Sequence, residues 1–217
     1  KSPYISNTLI SMYAKCGVLP KARAVFDMLS VRDVISWNSL IAGYVQNGHG
    51  HEALKCFEMM QHEVSSLDII TFAFMLKSCG NIGAVGKGQE VHAKIVKGGL
   101  EEDMIVANAL VDMYGNFGML IESQAVFDKL SVKNMVTWTA LIAAYAQIGQ
   151  DDDVIKFTAQ MIGEGNEPDV VIFTILLSMC SHSGLLDEGQ MCFETMIMNY
   201  SIIPTLEHYA CLVDLFC

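Results

Sequence analysis

Apolar residues recur at intervals of three and four along most of the chain, and this spacing places them on one face of an α-helix. The first stripe of residues 34–68 consists of Trp37, Leu40, Ile41 and Tyr44. Asn47 and Gly48 interrupt it, and glycine allows the left-handed backbone that commonly ends a helix. A second stripe follows, with Ala53, Phe57 and Met60. The pattern predicts two short helices joined by a tight turn.

Much of the sequence occurs twice, with a constant offset of 101 residues. The segment NTLISMYAKCG at 7–17 is echoed by NALVDMYGNFG at 108–118. The same offset relates Trp37 to Trp138, Phe72 to Phe173 and Cys79 to Cys180. A match kept over this distance without slippage indicates an internal duplication, so the repeat is defined before the fold.

Smaller units lie within this period, and each contains a helical stretch, a glycine-centred turn and a second helical stretch. We delimit them at 3–33, 34–68, 69–103, 104–134, 135–169 and 170–205, with a truncated unit at 206–217. One such hairpin cannot bury both of its apolar faces, whereas stacked hairpins can. The chain is therefore predicted to be all-α, a single array at 1–217 that forms a right-handed α-α superhelical solenoid.

The acidic charge of the chain limits the kinds of partner that it can bind. Its 24 acidic residues outnumber 13 basic ones, which gives a net charge of −11 and argues against binding nucleic acid chiefly through phosphates. No apolar run reaches the roughly 18 to 20 residues of a membrane-spanning helix, so no membrane partner is expected. Because the chain lacks an initiator Met, we expect it to be a piece of a longer protein.

Residues suited to catalysis or metal binding are few. The seven cysteines include no C-x-x-C pair, and since each lies in a helical pattern we expect small buried thiols. His49 and His51 flank a glycine in a turn, and AVGKGQE at 84–90 lacks the spacing of a phosphate-binding loop. We therefore expect no catalysis, no metal, no cofactor and no small-molecule substrate.

Two families of helical hairpins have repeats of this size. The tetratricopeptide pattern W-x2-L-G-x2-Y is nearly met by Trp37, Leu40 and Tyr44, but Ile41 stands where that pattern requires Gly. The phrases VISWNSLIAGYVQNGHGHEALKCFEMM and NTLISMYAKCGVLPKARAVF instead resemble the pentatricopeptide repeat family of plant organelles, and the likeness spans 3–217. The alternating lengths resemble its subclass with short (3–33, 104–134, 206–217), standard (34–68, 135–169) and long (69–103, 170–205) repeats.

The resemblance implies that each repeat binds one RNA base. In this family the fifth and last residues of a repeat read the base, and the second residue wedges between bases. The fifth residues here are Asn7, Asn38, Ala73, Asn108, Thr139 and Thr174. The last residues are Asp33, Asp68, Asp103, Asn134, Asp169 and Thr205, and the wedging residues are Tyr4, Ile35, Ile70, Ile105, Val136 and Val171. Only Lys15 retains the lysine with which many members contact phosphate.

The pairing rule of the family implies a target. Asn with Asp implies U in repeats 3–33 and 34–68, Asn with Asn implies C in 104–134, and Thr with Asp implies G in 135–169. Ala73 cannot hydrogen-bond a base through its side chain, and Thr174 with Thr205 departs from the known pairs. The expected site is therefore 5′-U-U-x-C-G-x-3′. Asn and Asp at these places are also ordinary helix caps, and this alternative stays open.

The resemblance implies a site-recognition adaptor that binds single-stranded RNA for C-to-U editing in a plastid or mitochondrion. It is not expected to be an enzyme, because the deaminase signature of editing members, H-x-E with C-x-x-C, is absent from these residues. One alternative is a protein-interaction solenoid whose acidic groove binds a basic peptide or an editing co-factor at the long repeats. Another is an RNA processing, splicing or stability factor.

Overall fold

The computed structural model describes residues 3–64 and 66–216, and in them it has thirteen α-helices and no β-strand. The helices are α1 (Pro3–Lys15), α2 (Leu19–Asp27), α3 (Val34–Gln46), α4 (Gly50–Glu63), α5 (Ile69–Ile82), α6 (Val85–Lys97), α7 (Met104–Asn116), α8 (Leu120–Lys129), α9 (Met135–Gln147), α10 (Asp151–Gly163), α11 (Val170–Ser183), α12 (Leu186–Met198) and α13 (Leu206–Phe216). The all-α prediction is confirmed for these residues.

The odd-numbered helices, which we call the first helices, begin where the sequence analysis begins its repeats, at residues 3, 34, 69, 104, 135, 170 and 206. Each is followed by a second helix after a short turn, except α13, which is the last described. The division into short, standard and long repeats remains a prediction.

The turn between a first and a second helix depends on a glycine in the left-handed region. Gly48 has φ +76°, its N–H donates to the Val45 carbonyl at 3.1 Å, and the His49 N–H donates to the Tyr44 carbonyl at 2.8 Å. These two bonds use carbonyls that the end of α3 leaves unpaired. The predicted glycine-closed turn is confirmed.

The described residues divide into two compact units, with the boundary between Leu130 and Ser131. In the first unit, α3 packs against α1, α2, α4 and α5. Its predicted apolar face is fully buried at Trp37, Leu40 and Ile41, and the rings of Phe26 and Trp37 meet edge to face with centroids 4.5 Å apart. Each such side chain contributes about 1.5–3 kcal/mol through burial.

The second unit repeats this construction. Helix α9 packs against α10 and α11, and α11 packs against α12 and α13. Trp138, Leu141 and Ile142 are fully buried, at the places that Trp37, Leu40 and Ile41 occupy in the first unit. The apolar stripes of both copies therefore have the same role in packing.

The expectation of buried thiols is only partly correct. Cys56, Cys79 and Cys180 are buried, Cys192 and Cys211 are half-buried, and Cys16 is exposed. Cys16 is exposed because it follows the last residue of α1 and belongs to the turn rather than to the apolar face. Cys217 lies outside the described residues.

Candidate nucleic-acid interface

The second residue of each first helix is apolar and points away from the core. These side chains are between 36% and 79% exposed, although each lies within one turn of fully buried residues; they are Tyr4, Ile35, Ile70, Ile105, Val136 and Val171. Exposed apolar residues scattered singly are normal, but six at one register of six helices form a regular feature. The predicted wedging residues are thus accessible to a ligand.

The residues that end the repeats cap the helices that follow. The Asp33 carboxylate accepts from the Ser36 N–H at 2.8 Å, and the Asp68 carboxylate accepts from the Thr71 N–H at 2.7 Å. Side chains also cap the first turns of the next three first helices, and these capping residues are Asp103, Asn134 and Asp169. The capping alternative is therefore a real part of the structure, and capping typically contributes about 1 kcal/mol per helix.

One cap also contacts the predicted base-reading residue. Asn38 Nδ2 donates to the two carboxylate oxygens of Asp68 at 3.0 and 3.1 Å, and its Oδ1 lies 2.8 Å from the Thr71 hydroxyl. The side chain of Asn38 is 9% exposed. These bonds leave one N–H and one lone pair of its amide for an external partner.

The hydrogen bonds that Asp68 accepts favour the ionised form of its carboxyl group. Burial alone would raise the pKa of the Asp68 carboxyl, but hydrogen bonds from Thr71 and Asn38 outweigh it and hold that pKa below its ordinary value. An ionised carboxylate accepts hydrogen bonds and donates none. The atom of Asn38 that faces Asp68 is therefore the nitrogen, which fixes the orientation of the amide.

The first repeat has the same pair of residue types but not the same contacts. Hydrogen bonds from Ser36 lower the pKa of the Asp33 carboxyl, and Asn7 makes the smallest contribution to this shift. The Asn7 Oδ1 atom is buried and has no hydrogen-bond partner among the described residues. The carbonyl of the Asn7 amide is thus not held, whereas both ends of the Asn38 amide are.

Two predicted pairs are not joined. Ala73 has no polar side-chain group, and Asp103 accepts from the Ile105 and Val106 N–H groups at 2.9 and 3.2 Å. The Thr139 hydroxyl donates to the Met135 carbonyl of its own helix at 2.8 Å. Asp169 accepts from the Val171 and Ile172 N–H groups, both at 3.0 Å. No hydrogen bond joins Thr139 to Asp169 in the described part of the second unit.

Asn108 and Asn134 lie on opposite sides of the boundary between the two units, so only their own surroundings are described. Asn134 accepts from the Thr137 N–H at 2.9 Å and from the Thr137 hydroxyl at 2.8 Å. Asn108 is half-buried at the fifth place of α7. Their pairing remains a prediction.

The last predicted pair is bridged by His208, which is fully buried. The Thr205 N–H donates to its Nδ1 at 3.0 Å, so the proton of the neutral ring is on Nε2. Nε2 lies 3.1 Å from the Val170 carbonyl and 3.0 Å from the Thr174 hydroxyl oxygen. The sequence analysis did not identify this bridge, because a lone His in a helical stretch carries no sign of its partners.

The first helices of the second unit also border an open groove. It has a volume of about 400 Å³ between α9 and α11, and its lining residues are Ala143, Ala146, Gln147, Thr174, Ile175, Ser178, Met179 and His182. Gln147 and His182 stand at the place that Lys15 occupies in α1. The groove is thus large enough for a planar group, but it has no lysine.

Charge is distributed unevenly between the helices. The first helices α1 to α11 contain only Lys15, Lys77 and Asp112 as charged residues, a net charge of +1. The rest of the chain, which includes the second helices, the connections, the cap residues and the C-terminal helix, therefore has a net charge of −12. The bodies of these helices are therefore close to neutral, and the acidic groove remains a prediction that rests on the cap residues at their first turns.

Lys77 is a cation that the sequence analysis missed. It is exposed on α5, four residues before the place that corresponds to Lys15. Burial raises the pKa of the Asp112 carboxyl on α7, while the charge of Lys77 opposes this effect. Counting charges helix by helix would have found Lys77, whereas looking only for lysine at the Lys15 place did not.

Other kinds of site find little support. No three His, Cys, Asp or Glu side chains of the described residues are grouped closely enough to hold a metal ion. No helix in the described ranges has both the length and the apolar character needed to cross a bilayer.

Comparison with sequence families identifies the repeats. The model of the PPR repeat family matches residues 32–81 and 133–182, and that of the PPR repeat matches 4–34, 105–135 and 171–200. Together these ranges cover most of the chain.

Several proteins of Arabidopsis thaliana are similar over nearly the whole chain. One pentatricopeptide repeat-containing protein is 41% identical over 98% of this chain and 26% of its own length. CRR2, described as chloroplastic, is 40% identical over 98% of this chain and 33% of its own. A putative one described as mitochondrial is 39% identical over 97% of this chain and 34% of its own. The chain thus spans about a quarter to a third of the length of these relatives.

Solved structures share the fold. The pentatricopeptide repeat protein PPR10 from maize matches with a TM-score of 0.62 at 19% identity, over 96% of this chain and 31% of that one. PPR10 in complex with an 18-nt psaJ RNA element matches with a TM-score of 0.59 at 17% identity, over 100% of this chain and 38% of that one. This likeness confirms an all-α repeat solenoid. The helical hairpins, the family matches and the relatives agree, and the chain belongs to the pentatricopeptide repeat family.

Proposed function

We propose that the chain binds single-stranded RNA through its first helices, with one base for each repeat. The observation that carries this proposal is the regular exposure of an apolar second residue in six first helices, one turn before the predicted base-reading residue. An apolar wall beside a polar group suits a base, which has an apolar face and a hydrogen-bonding edge. PPR10 has been solved with a bound RNA element, and membership of the same family supports the same class of ligand here.

The proposed site is 5′-U-U-x-C-G-x-3′, as the family's pairing rule implies. The contact between Asn38 and Asp68 supports the second U most strongly, because both partners of the pair are held together at 3.0 Å. The first U rests on the pairing rule for Asn7 with Asp33. The C and the G, from Asn108 with Asn134 and from Thr139 with Asp169, rest on the pairing rule alone.

Affinity should come from stacking and edge contacts more than from charge. Each well-stacked base contributes about 1–3 kcal/mol in other single-strand binding proteins. With Lys15 and Lys77 as the phosphate contacts, the salt dependence should be shallow, with a slope of log K on log salt of about −1.4. The near-neutral bodies of the first helices allow RNA to approach despite the acidic chain.

We further propose that the parent protein is an organellar site-recognition factor for C-to-U editing. The chloroplastic and mitochondrial names of the relatives support an organelle, and the alternating repeat lengths support the editing subclass. A role in RNA processing, splicing or stability requires the same RNA binding but no conversion of a C. Sequencing organellar transcripts from a plant that lacks the parent protein separates these roles: loss of one edited C supports editing, and altered transcript ends or levels without it support processing.

A protein partner is the second candidate, and the charge distribution favours it at the second helices. Asp151, Asp152 and Asp153 form the first turn of α10, and the second helices carry much of the acidic charge of the chain. A basic segment of an editing co-factor would suit that surface rather than the first helices. Of the two long repeats proposed for such a contact, 170–205 has an acidic second helix, whereas the second helix of 69–103 has three lysines and one glutamate.

Binding to matched oligonucleotides tests the RNA proposal. The target 5′-UUACGA-3′ and the scrambled 5′-AGUACU-3′ have the same composition but differ at all four assigned bases. Fluorescence anisotropy should show at least about tenfold tighter binding to the target, a difference of about 1.4 kcal/mol. Equal weak binding to both would contradict the proposal and favour the protein partner.

A further inference from the structure

The third residue of each first helix varies together with the base-reading residue of the preceding repeat. Wherever the base-reading residue is Asn, a hydroxyl residue follows at this place, and the three pairs are Asn7 with Ser36, Asn38 with Thr71 and Asn108 with Thr137. Where it is Ala73 or Thr139, an aliphatic residue follows, Val106 or Ile172. Thr174 is followed by His208, which contacts it. Two of these pairs are joined by a hydrogen bond between side chains in the structure, Asn38 with Thr71 and Thr174 with His208.

Thr71 shows how the coupling works. Its side chain is fully buried, and its hydroxyl oxygen lies 2.8 Å from Asn38 Oδ1 and 2.7 Å from an Asp68 carboxylate oxygen. The carboxylate also accepts from the Thr71 N–H and from one N–H of the Asn38 amide. Among the described residues, the Thr71 hydroxyl is the one hydrogen-bond donor to Asn38 Oδ1. The carboxylate has other donors, so we expect the Thr71 hydroxyl to donate its single proton to the Asn38 carbonyl.

Building on the proposed RNA binding, we infer that Thr71 is a positioning residue that sets which base Asn38 accepts. Asp68 holds the nitrogen end of the amide, and Thr71 holds the oxygen end. The amide then presents one N–H and one lone pair in fixed places. Uracil offers an N3–H donor next to a carbonyl acceptor, whereas cytosine has an acceptor at N3. A fixed order of donor and acceptor therefore separates uracil from cytosine.

The first repeat provides a natural comparison within the same unit. The Ser36 hydroxyl donates to the Asp33 carboxylate at 2.6 Å, as the Thr71 hydroxyl can to Asp68. Asn7 Oδ1, however, is buried and has no hydrogen-bond partner in the described part of the chain. Ser36 therefore stabilises the cap without holding the amide. Removing its hydroxyl removes only the capping role, which makes Ser36→Ala a matched control for Thr71.

The experiment compares base preference in Thr71→Val, Thr71→Ser and Ser36→Ala. Wild-type protein should bind 5′-UUACGA-3′ about tenfold more tightly than 5′-UCACGA-3′. Thr71→Val should reduce this ratio to within about twofold, because it leaves the buried Asn38 carbonyl unpartnered and removes one of the two contacts that hold its amide. Thr71→Ser keeps the hydroxyl and should keep the ratio. Ser36→Ala should leave the preference at the first base unchanged, measured with 5′-CUACGA-3′.

The outcomes separate this inference from the proposed function. A wild-type ratio in folded Thr71→Val would overturn the inference, as would an equal loss at the first base in Ser36→Ala. Wild-type protein that binds none of these oligonucleotides would instead overturn the RNA proposal. Thermal melting checks folding. If Thr71→Val does not fold, NMR of the wild-type protein decides: a slowly exchanging Thr71 hydroxyl proton with a hydrogen-bond coupling to the Asn38 side-chain carbonyl carbon supports the clamp, and the lack of such a coupling contradicts it.

Discussion

The junction between α3 and α5 and the junction between α9 and α11 occupy the same places in the two copies of the duplicated sequence, yet their polar groups behave differently. At the first, Asn38 contacts Asp68 across the hairpin at 3.0 Å. At the second, Thr139 donates to the Met135 carbonyl of its own helix at 2.8 Å, and Asp169 serves only as a cap.

The difference teaches that a repeat register does not by itself make a base-reading site. A Thr hydroxyl is short and readily satisfies the carbonyl four residues earlier in its own helix. The amide of Asn is longer and has a donor and an acceptor, so it can bridge to the next hairpin and still present an edge. The α3–α5 junction is therefore organised before RNA binds, whereas the α9–α11 junction remains open beside a groove of about 400 Å³.

The sharpest test of this contrast removes each base-reading side chain. Asn38→Ala should abolish the preference for U at the second base, a loss of about tenfold, which corresponds to about 1.4 kcal/mol. Thr139→Ala should lower the preference for G at the fifth base by no more than about threefold, because the Thr139 hydroxyl is already bonded to its helix. Anisotropy with single-base variants of 5′-UUACGA-3′ measures both. Equal losses of base preference in the two variants would contradict the difference between the two junctions.

Wedging should be common to both junctions. Ile35→Ala and Val136→Ala should each weaken binding to all sequences by about fivefold, the lower end of the range for one stacked base. Ile121→Ala provides the control, since Ile121 is 82% exposed but lies on α8, a second helix. A similar loss in Ile121→Ala would mean that any exposed apolar residue has this effect.

Acid should weaken the α3–α5 junction. The pKa of Asp68 is lowered in the folded protein, so its contribution to stability is present above the ordinary aspartate pKa and is lost as pH falls through the lower folded value. Urea unfolding at pH values below about 4 should show this loss in the wild-type protein. Asp68→Asn should lack that part of the pH dependence. An unchanged dependence in the variant would show that Asp68 is not held in its charged form.

The smallest expected effect concerns salt. Lys77→Gln should reduce the slope of log K on log salt by about 0.7, the value for one phosphate on a single strand. Lys55→Gln is the control, because Lys55 is exposed on the second helix α4. Titration of anisotropy with KCl measures both slopes. Equal changes would show that Lys77 acts only through net charge.

Sequence reasoning predicted the helices well because their signals are local. A capping residue, an apolar stripe and a left-handed glycine mark the beginning, the face and the end of a first helix within about 15 residues. The exposure of Ile35 and Val136 followed from the same register. The contact of Thr71 with Asn38 could not be predicted, because it depends on how one hairpin sits on the next. The bridge through His208 also depends on how one hairpin packs against the next.

The measurement that tests the account most directly is the base preference of Asp68→Asn at the second position. Asn caps helices as well as Asp does, and Asn134 does so here for α9, so the fold should be retained. An Asn at this place can offer either its N–H or its carbonyl to Asn38, so the nitrogen end of the Asn38 amide is no longer fixed, and the pairing rule assigns C to Asn with Asn. We predict that the preference at the second base moves from U to C, with the other bases unaffected. A preference that stays at U would contradict the central claim that Asn38 and Asp68 read this base together.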